Sequence, residues 1–170
     1  MGESVNNQVA LFTFVHCAET EREAIEHGAA AAVAWYINMI FTFFEAREVM
    51  MRTIDEMAAA VSRDPDSPLA AYARLAAQKA ALPKSPLTSM LDRMMAGATV
   101  SNEEVYETLT ADDAVIIGDV ATCRKKMQRY QDVGVDRLMC FQQLGHLPHE
   151  HIMKSIRLVG EHLIPVFDPK

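Results

Sequence analysis

The segment from Ala114 to Phe167, AVIIGDVATCRKKMQRYQDVGVDRLMCFQQLGHLPHEHIMKSIRLVGEHLIPVF, constrains the fold more than any other stretch of the chain. A short apolar run, Ala114–Ile117, closes on Gly118-Asp119. Asp119 is placed to cap a helix from Val120 to Val133, and Gly134 supplies its left-handed stop. Val135–Phe141 forms a second apolar run; Pro148 then opens a last helix that Pro165 ends. Strands alternating with helices at this spacing imply βα units and a parallel sheet.

Upstream, Val9–Val15 (VALFTFV) is short, continuously apolar and rich in β-branched and aromatic residues. That pattern suits a strand covered on both faces. After it, Thr20-Glu21-Arg22-Glu23 reads as a capping box, in which the Thr hydroxyl and the Glu carboxylate satisfy free amides reciprocally. The spacing of Ala24, Ala31, Trp35 and Met39 predicts one long helix to about Phe44, and Glu45–Val61 continues helical. Residues 62–111 hold turn clusters and short helices but no strand candidate: SRDPDS at Ser62–Ser67, a helix over Leu69–Leu82, a Pro83–Pro86 break, turns over Leu87–Met95 and an acidic helix from Ser101 to about Leu109. So long an insert between βα units is either a lid over a site or a helical decoration. The expected strands are therefore 9–15, 114–117 and 136–142. Three parallel strands cannot close a barrel, which needs eight strands and typically about 250 residues. The chain is expected to be a partial (β/α)8-type barrel, with unpaired edges that favour homo- or hetero-oligomers; the aromatic Trp35–Phe44 surface points the same way.

Composition narrows the function classes. Half of the 170 residues are apolar, enough for one core, and the net charge is −7. Phosphate backbones need clustered Lys and Arg, so a nucleic-acid or anionic-membrane partner is not expected. The dense basic group Arg124-Lys125-Lys126 with Arg129 lies on an amphipathic helix and reads as its solvated face. Gly28–Phe44 is apolar but is interrupted by Asn38 and flanked by Glu26, Glu45, Arg47 and Glu48, short of the roughly 20 apolar residues of a spanning helix. The polar start Met1–Gln8 lacks a signal-peptide pattern. Three cysteines without a CxxC suit a reduced, cytoplasmic interior.

The segment from Ile116 to Phe167 resembles the C-terminal end of the luciferase-like, flavin-dependent monooxygenases. The resemblance rests on a strand ending in Gly118-Asp119 and a helix turning Cys123, Met127 and Tyr130 to the sheet. It rests further on the Gly134-Val135-Asp136 turn, the Gln142–Gly145 segment, Leu147–Glu150, and the closing Ile164–Phe167. Ala18, Thr20, Glu23 and Ala24 are similar to the family's sixth strand and following helix, and residues 62–111 fall where its active-site loop lies. The resemblance implies a TIM-type barrel binding reduced FMN, or a deazaflavin, with O₂ oxidising a small organic substrate. It also implies a flavin reductase as a partner. Strands six to eight of such a barrel would need a partner chain carrying the N-terminal half-barrel, or would be a piece of a longer protein, or would stand as a non-catalytic remnant that serves assembly.

In a barrel the working face lies at the C-terminal ends of the strands. That places His16 and Cys17, then Gly118 and Asp119, then Gln142, Gln143 and His146 at one end. His16 is a candidate acid/base or hydrogen-bonding group, or simply a polar strand end. Gly118 and Asp119 sit where barrels often hold phosphate, although Asp119 also suits a plain cap. Gln142 is the leading candidate to line a cofactor pocket, since its amide both donates and accepts. His146, His149 and His151 do not make a zinc spacing, and no metal is expected. Cys123 and Cys140 read as small hydrophobes and the Met clusters Met50-Met51 and Met90–Met95 as core or interface filling; Ile152, Ile156, Val159 and Leu163 form the face of the last helix turned to the sheet.

Overall fold

The computed structural model describes residues 8–43, 83–111 and 114–168, together with single positions and short stretches between 52 and 78. The lead-in Met1–Asn7 and most of the stretches expected to be helical at 45–61 and 69–82 lie outside the described residues. The chain divides into two compact units, one of Met1–Tyr36 with Ala98–Lys170 and one of Ile37–Gly97. The first is α/β. It holds a three-stranded parallel sheet of β1 (Ala10–Ala18), β2 (Ile116–Asp119) and β3 (Arg137–Phe141). Its helices are α1 (Glu21–Glu26), the first half of α2 (Ala29–Phe43), α4 (Asn102–Thr110), α5 (Val120–Asp132), α6 (His149–Leu158) and α7 (Ile164–Phe167). The second unit contains α3 (Pro86–Met95), whose first turn is capped by Ser85 accepting from the Thr88 N–H.

All three expected strands are present and parallel, with shifted ends. β1 runs on to Ala18 because its last four residues gain a partner: Val15–Ala18 pair with Ile116–Asp119. Ala10–Phe14 pair instead with Arg137–Phe141. The sheet order is thus β2-β1-β3, with β1 in the middle. Three consecutive barrel strands would place the second strand of the sequence between the other two, so the strands do not lie in the order expected of barrel positions six, seven and eight.

Side chains alternate across the sheet. One face sends Val15, Cys17 and Ile116 into a core with Cys123 and Met127 of α5 and with Val159 and Leu163, while Leu138 and Cys140 pack at its margin. Val159–Leu163 is a single π-helical turn joining α6 to α7. The other face carries Phe12, Phe14, His16, Met139 and Phe141. Tyr36 of α2 packs edge-on to Phe14 and tilted against Phe141, with ring centroids 5.4 and 5.7 Å apart. Phe12 and Met139 remain about half exposed on this face.

Several local expectations are met by visible contacts. Asp119 accepts from the Thr122 N–H at 2.7 Å, and Thr20 accepts from the Glu23 N–H at 3.1 Å while Glu23 returns a bond to the Glu19 amide. Others are corrected. The long helix expected to Phe44 is two helices, broken at His27-Gly28, where Gly28 has φ +71. Residues 98–111, expected in the insert, belong with the sheet: Val105 and Leu109 are buried, and the Tyr106 hydroxyl donates to Glu21 at 3.0 Å. On α6 the sheet-facing position is Ser155, not Ile156, which is exposed. Ser155 is fully buried because its hydroxyl serves the backbone of β1, a role no aliphatic side chain can take. Lys126 is not on the solvated face either; its ammonium turns in to donate to the carbonyls of Thr110 and Val115. Arg124, Lys125 and Arg129 stay exposed. Among the described residues, no helix is long and apolar enough to cross a membrane.

The break at Gly28 gives a sign test. Alanine gains roughly 1 kcal/mol over glycine inside a helix, whereas a left-handed φ costs an L-residue about 1–2 kcal/mol. A Cβ at Gly28 would meet the Asn102 side chain only at ordinary contact distances. Gly28→Ala is therefore expected to lower the urea midpoint; a raised midpoint would mean that α1 and α2 can fuse into one helix.

Candidate functional site

The C-terminal ends of β1 and β3 are tied together through α6. Ser155 Oγ accepts from the Cys17 N–H at 2.9 Å and donates to Gln142 Oε1 at 2.8 Å. Cys17 extends β1 and Gln142 follows β3, so one buried hydroxyl fixes both strand ends against the helix. Gln142 is only partly exposed.

His16, at the same end, is completely buried. Its Nε2 lies 3.0 Å from His27 Nδ1, and His27 Nε2 lies 3.5 Å from Glu23 Oε1. His151 of α6 stacks on His27 with ring centroids 3.7 Å apart and planes 16° from parallel. Lys154, one turn along α6, ion-pairs with Glu23 at 2.6 Å and with Glu19 at 3.3 Å. The group thus joins β1, the α1–α2 junction and α6.

The order of protons in this chain follows from what each atom can do. A carboxylate only accepts, so the His27 tautomer that suits Glu23, 3.5 Å away, carries its proton on Nε2. In a neutral ring the His27 Nδ1 is then an acceptor, and His16 donates to it from Nε2. That leaves His16 Nδ1 with a bare lone pair, and this atom is buried with no hydrogen-bond partner among the described residues. His151 Nδ1 is likewise buried and unpartnered. The electrostatics agree with neutral rings. Burial, and then the nearby His27 and His151, push His16 down from its ordinary 6.5 to about 4. Burial and His151 also lower His27, while the hydrogen bond from Lys154 holds the Glu23 carboxyl below its usual range.

The other expected site residues are arranged differently. Gly118 takes φ +153, where a Cβ would come within 2.9 Å of Thr122, and the first-turn Thr122 amide beyond it already holds the Asp119 carboxylate. That geometry is a helix cap with its acceptor in place. His146 sets its ring edge-on to Trp35 at 6.2 Å, His149 begins α6 in solvent, and only His151 joins the cluster. Among the described residues, no group of three His, Cys, Asp or Glu side chains is arranged to hold a metal ion. Sequence reasoning missed His27, Glu23, Lys154 and Ser155 as a set. The available signal was polar residues spaced three and four apart on helices otherwise packed on apolar sheet, but the pairing of α1 with α6 is a tertiary fact. Family models, curated proteins and solved structures were all compared with the chain, and none matches it.

The histidines predict an acid limb of stability. Because the native His16 binds its proton more weakly than the unfolded chain does, its contribution is fully present above pH 6.5 and is lost as pH falls toward about 4. At one pKa unit per 1.36 kcal/mol the full loss is about 3 kcal/mol. Urea melts between pH 7.5 and 4.5 should show this decline, and His16→Gln should flatten it. Equal slopes in wild type and variant would contradict the assignment.

Proposed function

We propose that this chain forms the C-terminal strands of a TIM-type barrel of the luciferase-like, flavin-dependent monooxygenase kind, acting on a small organic substrate with O₂ in the cytoplasm. In this reading β1 and β3 are neighbouring barrel strands, and β2 is a short strand flanking the C-terminal half of β1. The remaining strands come from an N-terminal half-barrel, in a partner chain or in a longer protein of which this chain is a piece, and a flavin reductase supplies the reduced cofactor. One observation carries the proposal: an apolar sheet face, half exposed at Phe12 and Met139 and continued by Phe14 and Phe141 under Tyr36, runs toward hydrogen-bonding groups at the C-terminal strand ends. A flat heterocycle with a polar edge, as in FMN or a deazaflavin, matches that combination.

The fit is to the ring and not to the phosphate. Gln142 offers an amide at the rim, held by Ser155. For a phosphate, Lys154 is already neutralised by Glu19 and Glu23, and Asp119 occupies the α5 N-terminus. Phosphate contacts therefore fall to the partner half. Reduced flavin would supply the electrons that activate O₂. This chain's own part is to orient the ring through Gln142, exclude water with the aromatic face, and hold His16 neutral.

A second reading, assembly without turnover, is favoured by the same face and by the outer edge of β3, which has no strand partner among the described residues. That edge borders a groove of about 660 Å³ lined by Met127, Leu138, Cys140, Leu163 and Phe167. FMN fluorescence separates the two. Quenching is expected when the chain is mixed with an N-terminal half-barrel of the family. Gln142→Ala should weaken it about tenfold, the value of one hydrogen bond. Absence of quenching with and without the half-barrel would overturn the flavin reading. A dimer by light scattering would then support assembly.

A further inference from the structure

Two thiols meet on the buried face of the sheet. Cys17 is the penultimate residue of β1 and pairs in register with Gly118. Cys123 lies in the first turn of α5, and its Sγ sits 3.7 Å from the Gly118 carbonyl and 3.8 Å from the His16 carbonyl, the two residues that bracket Cys17 across and along the sheet. Both side chains are buried in one core cluster with Val15, Ile116 and Met127, and both are free thiols. The Cys123 thiol donates to the carbonyls of His16 and Gly118, and the Cys17 thiol to its neighbour, the Ala18 carbonyl. Cys140, by contrast, is a lone half-buried thiol on β3.

We propose that Cys17 and Cys123 are a dithiol–disulfide site that joins β1 to α5 when the chain meets a small-molecule disulfide. The chemistry balances as two exchanges. The Cys17 thiolate attacks one sulfur of the reagent and expels a small thiolate, forming a mixed disulfide. The deprotonated Cys123 then attacks the Cys17 sulfur and expels the second small thiolate. The two protein thiols lose two protons and two electrons, and the reagent is reduced to two thiols. The roles follow from the contacts. Cys123 keeps its proton against two backbone carbonyls, at 3.7 and 3.8 Å, whereas Cys17 has one such contact at 3.9 Å, so Cys17 is the attacking group and Cys123 the resolving one. Because both sulfurs are buried, the first exchange waits on a local opening of α5, so the folded chain reacts slowly. The product closes a loop of roughly 100 residues, the size for which a crosslink restricts the unfolded chain strongly. It also locks the β1 end that carries His16.

The test uses the whole chain with oxidised glutathione, in two arms: the folded protein, and protein refolded from urea in the same buffer. Free thiols are then alkylated, and the chain is digested without reduction and analysed by mass spectrometry. The expected product is a Cys17–Cys123 crosslinked peptide, lighter than its two halves by two hydrogens, with Cys140 alkylated. Cys140→Ser keeps the crosslink and Cys123→Ser abolishes it. The oxidised chain melts at a higher temperature than the reduced one. Full alkylation of Cys17 and Cys123 in both arms, or a crosslink through Cys140, would overturn the proposal.

Discussion

The backbone of β1 is the constraint on which the sheet unit depends. Nine extended residues present donors and acceptors on two sides, and buried groups of this kind must be paired. The chain divides the task by position. β3 serves the N-terminal half of β1, β2 serves the C-terminal half, and Ser155 supplies an acceptor to Cys17 from outside the sheet. Each partner brings a helix with it, so satisfying β1 also places α5 and α6. The core of Val15, Cys17, Ile116, Cys123, Val159 and Leu163 is the apolar result of the same arrangement.

That division also explains why polar chemistry gathers at one end. Where β1 runs past β3, its final residues keep β2 as a strand partner and also pack against α1 and α6, and those helices bring His27, Glu23, His151 and Lys154. Burial at such a place favours neutral imidazoles, and a carboxylate beside the outer ring orders the protons inward. The lone pair left on His16 Nδ1 is an unsatisfied buried atom of the kind that native structures seldom keep without use.

Much of this was legible in the chain itself. The parallel sheet followed from apolar runs alternating with capped helices, and Thr20, Asp119 and Gly134 marked their boundaries because caps and left-handed stops are local chemistry. What escaped was tertiary. Strand order depends on which edges meet, and no residue in β1 announces that it is central. Ser155 escaped notice because Ile156 fits the helical stripe better. Lys126 looked solvated because nothing nearby in sequence reveals the Thr110 and Val115 carbonyls that receive it. Of the candidate site residues, His16 and Gln142 were visible as polar groups ending apolar strands. Their partners lie 11 and 13 residues away respectively, on other elements, which spacing alone does not disclose.

The claim at the centre of this account is that Glu23 and His27 set His16 as a neutral, Nε2-protonated ring. Imidazole ¹⁵N NMR of the whole chain measures it directly. The account predicts, at pH 7, a His16 ring protonated on Nε2 and bare on Nδ1. Glu23→Gln should disturb that pattern, whereas a distant exposed substitution such as Val133→Ala should leave it unchanged. A His16 that is protonated on Nδ1, or doubly protonated at neutral pH, would contradict it.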